Sequence, residues 1–467
     1  MKYLAIFIFS LFITFSINAQ SILGRWYGSF NIMGSSHQMW MKLEKNSDKY
    51  TMIQYNPEDS TEFGFKVDSV TFIKDSLYFK ISSLNVTYHG KYNKEEEVIA
   101  GEFKQLKFLS KLDFYRTPQT EIKSDHPQEP LPPYDYTVQE VSFKALTDTF
   151  HLAGTLITPK NPTENYPIVV FSSGTGPQDR NEEMLGHKPF LVIADYLAKQ
   201  GIGSLRFDDR GTGKSGGSFY NSNLNDFASD LEAAYLFLRN DKAYKNHPIG
   251  LLGHSEGGIH AMITAKHQKK VSFIITLAGP GDEGKKLVED QQYLLAKYED
   301  YSEETALWNK ATFAGAIDII LANDKLPAQN LLNDFLGNQY DNAPAEATQN
   351  GETKVNFVMG ISLLLNNDFG RQMLAWTSAD YLPSIKCPIL SLNGSKDFQV
   401  PAASNLASIQ RNWSKKSAKT SKIIELEGLN HLFQKCLSCK VEEYGTLQQT
   451  IDPIVLKTIA PWIKSLE

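Results

Sequence analysis

Two rhythms of apolar and polar residues divide the chain. From Ile22 to about Arg116 the runs are short and alternating, as in Met39-Trp40-Met41-Lys42-Leu43, Phe63-Gly64-Phe65-Lys66-Val67, Ser76-Leu77-Tyr78-Phe79-Lys80-Ile81 and Val98-Ile99-Ala100-Gly101-Glu102-Phe103. Asn, Gly, Asp and Ser separate them. Alternation sends one side chain in and the next out, so this stretch predicts a small antiparallel β domain, barrel or sandwich, over residues 21–116. Beyond Tyr136 the strand-like runs are mostly apolar, at Ile168–Ser172, Ile202–Phe207, Ile249–Leu252, Val271–Ala278 and Pro388–Asn393, with a more mixed one at Lys422–Leu426. Strands buried on both faces read this way. Helical periodicity fills the intervals at Lys188–Lys199 and at Leu224–Arg239, where Phe227, Leu231, Ala234 and Leu238 make one face. Alternating strands and helices over residues 137–467 predict an α/β fold with a doubly wound, mostly parallel sheet. The interval at 282–382 is too long for one crossover. It carries its own helical periods at Leu287–Ala296, Glu303–Leu321 and Val355–Leu365. An insertion after a strand's C-terminal end borders the ligand-binding edge of such a sheet, which favours a helical lid here over a mere thickening of the scaffold.

The chain opens Met1-Lys2-Tyr3, continues apolar from Leu4 to Phe15, and reaches small residues at Ser16 to Ala19. A basic start, a short apolar run and a small residue before the cut describe a signal peptide over 1–20, and hence a secreted or periplasmic protein with no membrane anchor after cleavage. Residues 117–136 hold Pro118, Pro127, Pro130, Pro132 and Pro133 and read as a stiff linker. Formal charge is −6, and removing the leader with Lys2 takes it to −7. No basic face stands out, which argues against nucleic acid or anionic membrane as partner. Three cysteines are too few for a disulfide framework, although Cys436 and Cys439 are spaced to close a small one in an oxidising compartment.

The chemistry concentrates at Gly253-His254-Ser255-Glu256-Gly257, which lies between an apolar strand and the helical run from Gly258 to Ile263. G-x-S-x-G in strand–turn–helix context lifts the serine hydroxyl clear of the sheet and aims a helix N-terminus at it. A nucleophile so placed is served, in chain order, by an acid and then a histidine. His260, His267 and His431 follow Ser255, but the first two ride the helix that the elbow launches, leaving His431 as general base. Asp397, in the loop after Pro388–Asn393, is the one Asp between Tyr381 and His431 and suits the role of holding the His431 ring. Glu425 and Glu427 are its rivals. Oxyanion donors are expected from the backbone N–H of Glu256 and from the small-residue loop after Ile168–Ser172, with Thr175 the choice and Gly174 and Gly176 its neighbours in register.

With these pieces in order, the chain resembles the α/β-hydrolase superfamily over roughly residues 135–467. The likeness rests on Ser173-Gly174-Thr175-Gly176-Pro177-Gln178-Asp179-Arg180, Phe207 to Ser215, Gly253 to Gly257, Gly394 to Asp397 and Asn430-His431. It looks most like secreted bacterial serine esterases with an N-terminal accessory domain, distant relatives of prolyl-oligopeptidase-like peptidases. Many relatives have His-Gly where this chain has Ser172-Ser173-Gly174. The Gly24-Arg25-Trp26-Tyr27-Gly28 opening resembles lipocalin-like barrels. The resemblance implies hydrolysis of a small-molecule carboxylic ester through an acyl-enzyme on Ser255, with no cofactor. A serine peptidase is the alternative, and a non-catalytic binding protein on a hydrolase scaffold a distant third. Gly213-Lys214-Ser215 is no P-loop, because Asp208 stands where that motif needs Gly. Gly211-x-Gly213-x-x-Gly216 is no dinucleotide fingerprint, because Ser218 to Asn223 separates it from any helix. Asp208, Asp209 and Arg210 read instead as a structural ion-pair loop.

Overall fold

A computed structural model of the chain describes residues 22–32, 35–46, 49–55, 65–82, 86–105, 108–117, 126–348 and 353–466. The expected leader lies outside the described residues, as does the first part of the Pro-rich segment. The chain divides into two compact units.

The first unit is one ten-stranded sheet, not the two of a sandwich. Its strands are β1 (Gly24–Ile32), β2 (Ser35–Asn46), β3 (Lys49–Tyr55), β4 (Phe65–Lys66), β5 (Ser69–Ile73), β6 (Ser76–Ile81), β7 (Val86–Asn93), β8 (Val98–Gln105), β9 (Phe108–Lys111) and β10 (Phe114–Tyr115). They run in the order β4-β3-β2-β1-β10-β8-β7-β6-β5, with β9 beside β8. Alternation decides its faces: Leu77, Phe79 and Ile81 of β6 and Val86, Tyr88 and Tyr92 of β7 point inward around Trp26 and Phe114. Two buried aromatics place their polar ends on backbone carbonyls, Trp26 Nε1 donating to Ile22 O (2.7 Å) and Tyr88 Oη to Leu112 O (3.0 Å).

The second unit carries an eight-stranded sheet. Its strands are β11 (Thr137–Lys144), β12 (His151–Thr158), β13 (Ile168–Ser172), β14 (Gly203–Phe207), β15 (Ile249–His254), β16 (Ile274–Leu277), β17 (Ile389–Gly394) and β18 (Lys422–Leu426). The order is β11-β12-β14-β13-β15-β16-β17-β18, with β11, β12 and β14 paired antiparallel and the rest parallel. Every residue of β13 to β17 is buried, including the polar Ser204, Arg206, Ser391 and Asn393 among the apolar ones. Adjacent residues still face opposite ways. Val170, Leu251 and Ile274 pack on α2 (Leu224–Asn240) and α3 (Glu256–His267), while Val169, Leu252 and Ile275 pack on α1 (Pro189–Lys199) and α12 (Pro453–Lys464). Two separate cores on the two faces of one sheet make the doubly wound arrangement.

Between β16 and β17 come six helices: α4 (Gly284–Tyr298), α5 (Glu303–Ala322), α6 (Lys325–Asp341), α7 (Ala345–Thr348), α8 (Lys354–Leu365) and α9 (Asp368–Ala375). They enclose a core of their own, with Phe313, Ile317, Leu332, Leu336, Phe357 and Ile361 at its centre. α4 is tied to the loop after β17, where Tyr298 Oη donates to Lys396 O (3.1 Å) and Gln291 Nε2 to Gln399 O (2.5 Å). Downstream lie α10 (Ala402–Asn412) and α11 (Val441–Tyr444). Cys436 and Cys439 form a disulfide. The Pro-rich segment is no free linker from His126 onward. Gln128 donates to Ile451 O (2.7 Å) and accepts from Thr450 N (2.6 Å) and Ile451 N (3.1 Å), a clamp onto the last turn before α12. Among the described residues no helix is long and apolar enough to cross a membrane.

Candidate active site

At the C-terminal end of β15 the chain reverses into α3 within one residue. Ser255 holds φ 50° and ψ −123°, a left-handed conformation that non-glycine residues seldom adopt. Its N–H is anchored on Leu277 O at 2.8 Å. The flanking glycines are required by proximity: a Cβ on Gly253 would meet Gly257 O at 2.0 Å, and one on Gly257 would meet Ser172 O at 2.1 Å. The motif's small residues thus let the elbow fold onto the end of β13. Strain of this kind costs on the order of 1–3 kcal/mol and persists only where the surroundings impose it.

Parallel pairing of β15, β16, β17 and β18 brings their C-terminal loops to one edge of the sheet. The structure brings Asp397 and His431 together there, His431 Nδ1 lying 2.8 Å from Asp397 Oδ2 with both side chains buried. Asp397 Oδ1 accepts from Gln399 N and Val400 N, each at 2.9 Å, so three donors hold the carboxylate. Asn430, just before His431, folds its own loop by accepting from Leu432 N (3.0 Å) and Gln434 N (2.9 Å). Among the described residues neither His431 Nε2 nor Ser255 Oγ makes a hydrogen bond, so the structure joins His431 to Asp397 and not to Ser255. Glu425 and Glu427 are exposed, and among the described residues the carboxylate paired with His431 is that of Asp397.

The loop after β13 is fastened from below. Ser173 Oγ donates to Asp209 Oδ1 (2.8 Å), and Gln178 N to Asp209 Oδ2 (3.0 Å). Burial pushes the Asp209 carboxyl well above its ordinary range, and the nearby charges of Glu256 and Asp230 push the same way. Arg180 grips Asp208 with two nitrogens (2.9 and 2.8 Å), and Arg210 grips Asp230 (2.7 and 2.8 Å). The Asp208-Asp209-Arg210 run therefore serves as an internal brace. Gly174 N–H is already committed to Glu182 Oε1 (2.7 Å), which removes Gly174 as an oxyanion donor. Thr175 is exposed, and no acceptor among the described residues takes its N–H. Glu256 N–H, at the first position of α3, has no partner within the helix.

The Glu256 side chain does something the sequence does not announce. It is buried, accepts from Thr175 Oγ1 (2.7 Å) and lies 3.1 Å from His260 Nε2, while His260 Nδ1 lies 3.0 Å from Ser172 Oγ. A chain of polar contacts joins the start of α3 to the loop after β13. Glu182 and His254 are a second such pair, Oε1 to Nδ1 at 2.9 Å, with His254 Nε2 3.0 Å from His431 O. Sequence reasoning passes over both. Their only signals are an acid-dense run, Asp179 to Glu183, after a small-residue loop, and a histidine at the variable position of the elbow.

Residues 188–312 match the family model described as serine aminopeptidase, S33. None of the curated proteins compared matches the chain. Among solved structures, an esterase of Pyrococcus furiosus is 16% identical, covering 71% of this chain and 91% of its own, with a TM-score of 0.43. Est1E from Butyrivibrio proteoclasticus, solved with ferulic acid bound, is 17% identical, covering 70% and 98%, with a TM-score of 0.40. Dienelactone hydrolase from Anabaena variabilis is 13% identical, covering 71% and 99%, with a TM-score of 0.39. The sheet order, the strained serine elbow and the family match together make the second unit an α/β-hydrolase fold, with a small antiparallel β unit before it.

Proposed function

We propose that this protein is a serine hydrolase that cleaves small carboxylic esters through an acyl-enzyme on Ser255. The observation that carries the reading is the buried 2.8 Å contact of His431 with Asp397 on the same sheet edge as the Ser255 elbow. In the proposed cycle Ser255 Oγ attacks the acyl carbonyl and its proton passes to His431 Nε2. Asp397 accepts from Nδ1, which fixes the tautomer and stabilises the imidazolium. The backbone N–H groups of Glu256 and Thr175 receive the developing oxyanion. The alcohol departs with the proton from His431, and a water then repeats the sequence to release the acid. Only side chains, backbone and water take part.

Ester over amide is favoured by what the nearby carboxylates already do. A peptidase that trims free N-termini needs a carboxylate left over for the substrate's ammonium. Glu256 is buried between Thr175 and His260, and Asp179 Oδ1 accepts from Asn181 N (3.0 Å) and Glu183 N (2.9 Å). The aminopeptidase description of the matching family model supports a peptidase as second reading. The two separate in one assay: short-chain aryl and alkyl esters are expected to outpace matched dipeptide amides by several orders of magnitude in kcat/KM. Comparable rates, with amide activity lost in Glu256→Gln, would overturn the ester reading. The Cys436–Cys439 disulfide supports the proposal of a secreted or periplasmic location, because such bonds persist in oxidising compartments.

A further inference from the structure

Glu182 and His254 lie seventy-two residues apart in sequence and meet in the interior, each almost wholly buried. Glu182 Oε1 takes Gly174 N–H (2.7 Å) and sits 2.9 Å from His254 Nδ1. The other ring nitrogen, Nε2, sits 3.0 Å from the carbonyl oxygen of His431. A carbonyl oxygen only accepts, so Nε2 carries a proton. The Nδ1 contact holds one more proton, shared between imidazole and carboxyl. Imidazole is the stronger base by roughly two pKa units in water, which places the shared proton on the ring. We propose that His254 is a buried imidazolium paired with a Glu182 carboxylate, and that the pair positions His431 and the loop after β13 around Ser255.

The carboxylates and the backbone carbonyl facing His254 agree with that charge, and the His431 ring opposes it only while it carries the Ser255 proton. Glu182 comes from the β13 side, His431 and Asp397 from the loops after β18 and β17, and Phe433 lies against the ring. Burial opposes protonation, but the charge and hydrogen bond of Glu182, the His431 carbonyl and the charge of Asp397 together raise the ring's pKa above its usual value. The consequence is a three-point tie. One carboxylate holds the loop that supplies an oxyanion donor, and its partner holds the backbone of the general base, whose ring is fixed from the other side by Asp397. The ring centroids of His254 and His431 are 4.9 Å apart. Both members are positioning residues, and their effect on rate rests on the ester-hydrolase reading. Their charge state does not.

The test begins with the full-length wild-type protein. Nitrogen-15 spectra of the histidine rings at about pH 8, where an unperturbed imidazole is neutral, are expected to show both nitrogens of His254 protonated. His254→Gln assigns the signal by its loss. A neutral wild-type ring overturns the charge assignment without any variant. In Glu182→Gln the carboxylate is gone and the ring should turn neutral. Its hold on the His431 carbonyl then weakens, and kcat should fall about 10²-fold with KM little changed. His254→Gln should lose a similar factor. If either variant folds and keeps wild-type kcat and wild-type labelling by a fluorophosphonate, the positioning role is overturned. Failure of the wild-type protein to be labelled at Ser255 would refute the ester-hydrolase reading instead, while the spectrum still decides the charge.

Discussion

Ser255→Ala is expected to lower ester hydrolysis by about 10⁶-fold and to leave the melting temperature nearly unchanged. The oxygen removed makes no hydrogen bond among the described residues, so no buried partner is orphaned. Alanine, with the same Cβ, bears the same backbone strain at φ 50°. Loss of rate with retention of fold marks a residue that serves the chemistry and not the fold, and loss of covalent labelling marks the nucleophile. Steady-state kinetics on a short-chain aryl ester checks the first part and a thermal melt the second. A fluorophosphonate should add one mass increment to the wild-type protein and none to the variant. Retention of most activity would remove the foundation of the proposed function.

The second large effect is expected at the acid. Asp397→Asn should reduce kcat by about 10⁴-fold through the wrong tautomer. The geometry gives the reason. Asp397 is surrounded by donors, with two backbone N–H groups on Oδ1 and His431 Nδ1 on Oδ2. An asparagine has one oxygen to offer, and the backbone pair claims it. Its NH₂ then faces His431, which must present a lone pair at Nδ1 and keep its proton at Nε2, where it cannot accept from Ser255. His431→Ala should cost about as much as losing the serine. Glu425→Gln and Glu427→Gln serve as controls. Both side chains are exposed, and neither variant is expected to move kcat by more than about twofold. A crippled Glu425 or Glu427 variant beside a silent Asp397→Asn would reassign the acid.

What is legible in the sequence is what depends on local chain geometry. The strands through Val170, Leu205, Leu251 and Leu390 announce themselves as apolar runs, and the elbow by its glycines. Boundaries shift where tertiary pairing decides them: β15 continues to His254, and β16 starts only at Ile274 although Val271 and Phe273 belong to the same strand-like run. α6 escapes a pattern reading because Pro327 and several Asn and Asp residues interrupt its apolar period. Yet the proline stands in the first turn, where its missing N–H costs nothing. α12 is masked similarly by Pro453 and Pro461. β11 and β12 form the sheet's antiparallel end, and most of β11 is exposed, so no continuous apolar run marks it. Of the proposed site, Ser255, Asp397 and His431 are the residues that motif and chain order nominate. The Glu182–His254 and Glu256–Thr175 contacts do not, because each joins residues whose nearness exists only after the sheet has formed.

The clamp of Gln128 on Thr450 and Ile451 sets where this protein can be cut or respliced. All the proposed reacting groups lie beyond Tyr136, so a chain begun at Leu131 should still react with a fluorophosphonate. It lacks three hydrogen bonds, however, worth about 1 kcal/mol each, and should melt several degrees below one begun at His126. The same seam governs recombination between genes. A fusion that exchanges the N-terminal unit for another keeps the full stability of the hydrolase fold when the junction falls before His126, because residues 126–136 of the Pro-rich segment travel with the module that follows them.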